Sequence, residues 1–147
     1  MTIFPVYKPH KDRIARLASA KKAIAAISKL DLYPAHKKEL LSVCIWKITE
    51  ADGKFNLRYW SEGALSASKS ELRHEHVYER KELIERLMRG ENVDVISALA
   101  IACVVTRAEH SRLSALPESV QTGWERYREA GVRVYDVAKG SEYLIDA

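Results

Sequence analysis

The stretch Ala102-Cys103-Val104-Val105-Thr106-Arg107-Ala108-Glu109 constrains the fold most tightly. Its apolar run, with two β-branched valines, predicts a short buried strand. Thr106 and Glu109 then form the T-x-x-E pattern, in which the hydroxyl and the carboxylate satisfy each other's backbone N–H groups. A helix therefore begins where the strand ends.

The rest of the chain is mostly helical in period. Ile14, Leu17, Ile24 and Ile27 recur at helical spacing over residues 10–30. Pro34 opens a second helix, with Leu40, Leu41, Cys44, Ile45 and Ile48 on one stripe. Asp52-Gly53 ends it with Gly53 as the cap, or else turns a hairpin into the alternating residues 54–60; the helix reading is preferred. Residues 61–70 are small and polar and read as a loop or frayed turn. Leu83, Ile84, Leu87 and Met88 predict a helix ended by Gly90, and Asn92 caps another through Ala100. Residues 123–131 read as a last short helix and 132–137 as a strand. The expected fold is α+β, predominantly α-helical, with two to four short strands. A chain of 147 residues implies one domain, 1–147, with a basic N-terminal helical segment (1–38) and a helical body (39–147).

Charge is segregated. Residues 1–38 hold nine Lys and Arg against Asp12 and Asp31, whereas the remainder holds 15 basic and 18 acidic residues. Arg13, Arg16, Lys21 and Lys22 are thus candidates for gripping DNA or RNA, with an acidic protein as the alternative partner and a solvated helix face as the bland explanation. Hydrophobic content of 47% argues against disorder. The longest apolar run is about half a membrane span, so no membrane partner is expected. No signal peptide is read, and Cys44 and Cys103 lie in separate apolar runs as buried free thiols, which together point to the cytoplasm. There is no G-x-G-x-x-G, P-loop or G-x-S-x-G, so no nucleotide cofactor is expected.

The chemistry-bearing types gather in two places: His74-Glu75-His76 and Glu109-His110. On a strand, His74 and His76 share one face and Glu75 takes the other; on a helix the two histidines point apart. Ser68-x-x-Glu71 would permit one helix over 69–89, so both readings stand. Glu109 has a structural reading as the capping partner of Thr106.

Glu75-His76-Val77, the strand 102–106 and the helix opening Arg107-Ala108-Glu109-His110 resemble the HNH endonucleases of the His-Me finger (ββα-metal) class, over about residues 72–116. The resemblance implies a metal-dependent phosphodiesterase acting on DNA or RNA. His76 would be the general base, Glu75 and His110 the ligands of one divalent ion (Mg or Mn ahead of Zn or Ni), and Arg107 or Arg112 a phosphate clamp. The sequence departs from the pattern at Ile101, where the family places an asparagine, and after His110, where a further histidine is frequent. A helical insert also fills the linker. These departures suit a degenerate finger kept for binding. The competing reading is a non-enzymatic accessory module of phage or mobile-element type, binding nucleic acid or protein. His10 and His36, among lysines, read as solvated, as do Arg126 and Arg128. Trp46, Trp60 and Trp124 read as core or boundary packing, with base stacking a lesser alternative for Trp60.

Overall fold

The computed structural model describes residues 3–120, 123–143 and 145. Among them lie seven α-helices and one five-stranded sheet, an α+β fold that is predominantly helical. Helices α1 (Arg13–Lys29) and α2 (Pro34–Thr49) pack on each other. Pro34 sits in the first turn of α2, where a missing N–H costs nothing. Most of the apolar stripe residues point inward: Ile24, Leu41, Cys44, Ile45 and Ile48 share one core with Leu83, Ile84 and Leu87 of α4 (Arg80–Met88) and Ile96 of α5 (Val93–Ala98). Ile14 departs from its stripe and is 85% exposed. Asn92 caps α5 as expected, its Oδ1 accepting from the N–H groups of Asp94 and Val95 at 2.8 and 3.2 Å.

The sheet is ordered β2 (Leu72–His76), β3 (Ala102–Thr106), β1 (Tyr59–Ser61), β4 (Val134–Asp136), β5 (Ser141–Tyr143). β1 and β3 run parallel; the other neighbours are antiparallel. Leu72, His74 and His76 lie on one face with Trp60, Ala102 and Val104, beside α2 and α3 (Glu62–Ser66). Arg73 and Glu75 lie on the other with Tyr59, Cys103 and Val105, beneath α6 (Arg107–Ser114) and α7 (Trp124–Glu129). Leu113 and Tyr127 from these two helices fill that core with Cys103, Val105 and Val134. Both cysteines are free and buried.

Three local expectations change. α2 ends at Thr49, short of Gly53, which turns the chain at φ 119°. No hairpin forms there, because β1 pairs with β3 and β4. Residues 61–70 contain α3, whose cap is Ser61: its Oγ accepts from Ala64 N–H at 3.0 Å. Ser68-x-x-Glu71 yields only a 3-10 turn at Lys69–Glu71, and the HEH segment then runs as a strand.

The capping box of α6 forms in full. Thr106 Oγ1 accepts from Glu109 N–H at 3.1 Å, and Glu109 Oε1 accepts from Thr106 N–H at 2.8 Å. The same carboxylate oxygen accepts from Ser61 Oγ, so the cap also ties α6 to β1. Gly63 packs beneath it, and a Cβ there would stand 2.9 Å from Glu109 Oε2. Urea unfolding should find Thr106→Ala less stable by about 1 kcal/mol and Thr106→Ser nearly unchanged. Equal losses for the two would show that the methyl group, not the hydroxyl, matters.

Candidate functional site

β2 and β3 form an antiparallel pair, and β3 passes directly into α6. This strand pair, interrupted by α4 and α5, together with α6 carries all the residues to which the HNH resemblance assigns roles. It brings some of them together and separates one.

Glu75 and His110 meet. Glu75 projects toward α6, and its Oε2 is hydrogen-bonded to Nδ1 of His110. The other oxygen, Oε1, accepts from Nη2 of Arg126 at 2.6 Å. Arg126 also donates to Glu79 Oε1 at 3.0 Å and to the His76 carbonyl at 3.2 Å. It is only 1% exposed, which corrects its reading as a solvated helix residue. Little in the local pattern signals this: α7 has six residues, less than two turns, too short for a periodic pattern to reveal its buried side.

His76 stands apart. It follows Glu75 on the strand and therefore faces the opposite side of the sheet. Its ring lies 4.5 Å from that of Trp46, edge on, and Nε2 is 3.0 Å from Thr49 Oγ1. Burial, helped by His74, Arg80 and Arg126, pushes its pKa down to about 3. His74 lies on the same face, with Nδ1 2.6 Å from the Lys54 carbonyl and Nε2 3.2 Å from Thr49 Oγ1. A carbonyl only accepts, so His74 Nδ1 carries the proton. Burial lowers the His74 pKa and keeps the ring neutral. The one proton of the Thr49 hydroxyl is shared between the Trp46 carbonyl and His74 Nε2, each 3.2 Å away, and the hydroxyl oxygen accepts from His76 Nε2–H; these tautomers are assigned from the network. The expected general base is thus engaged, and on the far face from Glu75 and His110.

The expected metal ligands do not make a metal centre. Among the described residues no group of three or more His, Cys, Asp or Glu side chains converges. Glu75 and His110 supply two donors, but both Glu75 oxygens are taken, and a fixed guanidinium stands where a cation would compensate the carboxylate. The donor set does not fit a divalent ion.

The arrangement instead presents one imidazole. The His110 side chain is 48% exposed, and with Nδ1 held by Glu75 its Nε2 is the nitrogen left for a ligand. It borders a pocket of about 280 Å³ lined also by Trp46, Lys54, Leu72, Arg73 and His74. Arg107, three residues before His110, shares its side of α6, whereas Arg112 lies two residues on and points away. Arg73 is a cation that sequence reasoning missed; its place beside Glu75 on the strand was the available signal.

The basic N-terminal residues are largely engaged within the molecule. Arg13 pairs with Asp52, Arg16 donates to the Ala51 carbonyl at 3.0 Å, and Lys21 lies 2.8 Å from Asp94. Lys22 is exposed and makes no ion pair among the described residues, and Lys29, two turns on, is likewise exposed. The free basic surface is narrower than the sequence suggests. Compared with known proteins, the chain matches no family model, no curated protein and no solved structure.

The His76 environment has a pH consequence. A histidine whose folded pKa lies below its unfolded value near 6.5 binds more protons unfolded than folded, so stability is full above that value and falls as pH drops toward about 3. His74 acts in the same direction. Unfolding free energy measured in urea should therefore decline between pH 6.5 and 4, by up to about 1.4 kcal/mol per pH unit for each such histidine. His76→Gln should make that decline shallower. An unchanged slope would mean that His76 titrates normally and is not buried as described.

Proposed function

We propose that this protein is a nucleic-acid-binding accessory module that contacts phosphate at the His110 pocket without a metal ion. One observation carries the reading: His110 is held through Nδ1 by a buried carboxylate, leaving Nε2 beside the pocket that Lys54 and Arg73 border. The Lys54 and Arg73 cations suit a phosphate oxygen, and His110 Nε2 donates to one when the ring carries a proton on each nitrogen. Lys22 and Lys29, about 10 Å apart along α1, add free positive charge elsewhere on the surface.

Binding is favoured over cutting because the acid–base set is incomplete. Hydrolysis assisted by side chains needs imidazoles with a nitrogen to spare. Both His74 nitrogens are engaged, and His76 is buried on the other face. That leaves one working imidazole, sufficient to hold a phosphate. The HNH resemblance is accommodated as a finger in which the Arg126 guanidinium compensates the carboxylate that a metal would otherwise neutralise.

Anisotropy of labelled single-stranded RNA, single-stranded DNA and duplex DNA, measured in a chelator, tests the reading. Binding should weaken with salt, with a log–log slope near −0.7 per neutralised phosphate on single strands and −0.9 on duplex. Arg73→Ala with His110→Ala should weaken binding about tenfold or more and reduce the slope. Lys22→Ala with Lys29→Ala should reduce the slope further. Failure to bind any of the three at low salt would end the nucleic-acid reading. An acidic polypeptide bound more tightly than all of them, with the same dependence on Arg73 and His110, would replace it with an acidic protein partner.

A further inference from the structure

A second cavity, of about 380 Å³, opens at the end of the sheet where β1 and β3 begin. It lies apart from the His110 pocket and shares no lining residue with it. Two arginines border it, Arg13 from α1 and Arg58 from the residue before β1. Each is set by a buried aspartate. Asp136 accepts from Arg58 Nε at 2.9 and 3.0 Å and from Nη2 at 2.7 Å, and its Oδ1 also accepts from the backbone N–H groups of Ala138 and Lys139. Asp52 accepts from Arg13 Nη1, from Tyr7 Oη at 2.7 Å and from His10 N–H at 2.8 Å.

The two ion pairs are neutral in sum but oriented alike. The Asp52 and Asp136 side chains are 4% and 3% exposed, the Arg13 and Arg58 side chains 40% and 42%. The positive ends are the more exposed; of the two carboxylates only Asp136 is absent from the cavity lining, and Asp52, which borders it, is covered by the donors of Arg13 and Tyr7. Arg58 spends one edge of its fork on Asp136, and its Nη1 remains for a ligand. Tyr7 and Arg13 meet on the same Asp52 oxygen, and both border the cavity together with Arg58. Tyr59 adds a second phenol to the lining. Surface arginines that serve only solubility have no need of buried carboxylates to fix their heading. Held forks that converge on a concave space are how proteins prepare to meet a planar or tetrahedral oxyanion.

We propose that this cavity binds a small organic phosphate monoester, with Arg13 and Arg58 on the phosphoryl oxygens and the Tyr7 and Tyr59 side chains beside the rest of the molecule. A phosphoryl group is favoured over a carboxylate because the two arginines together offer more donors than two carboxylate oxygens engage. The cavity volume is that of a metabolite site, and too small for a folded partner.

The test uses the full chain with arginine side chains labelled with ¹⁵N, and four probes: inorganic phosphate, a nucleoside 5′-monophosphate, a sugar phosphate and benzoate. The Arg58 and Arg13 side-chain signals should shift on addition of at least one phosphate probe, saturating with a Kd of about 1 mM or tighter. Arg58→Lys keeps the charge beside Asp136 but loses the fork, and should weaken binding about tenfold. Ala138→Trp, at an exposed position bordering the cavity, should block binding while leaving the unfolding midpoint unchanged. Saturable shifts abolished by Ala138→Trp support the site. No saturable shift with any phosphate probe, or shifts untouched by Ala138→Trp, would overturn it. Benzoate bound more tightly than every phosphate would overturn the phosphoryl assignment.

Discussion

Arg126 is the interaction on which the rest of the site depends. Its guanidinium is buried between α7 and β2 and reaches Glu75, Glu79 and the His76 carbonyl. A buried charge is tolerated only when paired, and breaking such a pair by removing one partner costs about 3–5 kcal/mol, because the other is left uncompensated. Glu75 is therefore held inside the sheet's second core by Arg126, and it in turn fixes His110. α7 brings the arginine, β2 the carboxylate and α6 the imidazole. Three elements distant in sequence are joined through one carboxylate.

This chain of contacts decides what chemistry remains open. A carboxylate with one oxygen on a guanidinium and the other on an imidazole has little left for a metal ion. The same contacts orient His110: Nδ1 is committed to Glu75 and the ring cannot turn freely, so a proton held on Nε2 points away from the carboxylate toward a ligand. On the reverse face, Thr49 and Trp46 absorb the HEH histidines into packing. The alternation of β2, with a period of two, separates the two halves of the motif. Adjacent letters in the sequence become opposite faces in space.

Much of the fold was legible. The T-x-x-E box, the Asn92 cap, the stripes of α2 and α4 and the strand 102–106 are local signals, set by neighbours within four residues, and they form as read except that Leu40 of the α2 stripe is exposed. The HNH resemblance implied that Glu75 and His110 ligate one ion; the two do meet, but in a hydrogen bond to each other. What was missed depends on distant partners. Arg126 lies among glutamates, and its sequence neighbourhood says "solvated"; only the docking of α7 on β2 makes it buried. Arg13, Arg16 and Lys21 read as a free basic face, yet Asp52, the Ala51 carbonyl and Asp94 meet them from other elements. The α3 helix went unseen because five residues are too few to show a period.

The central claim is that His110, fixed by Glu75 and Arg126, meets phosphate with no metal between. Long-range ¹H–¹⁵N spectra of the histidine rings test it most directly. In the free protein, with a chelator present, the His110 Nδ1 should carry a proton donated to Glu75. Adding a short oligonucleotide should then move the Nε2 resonance of His110 and leave those of His76 in place. A His110 ring that populates both tautomers freely, or an Nε2 signal that responds only once Mg²⁺ or Mn²⁺ is supplied, would contradict the account and return the site to a metal-dependent finger.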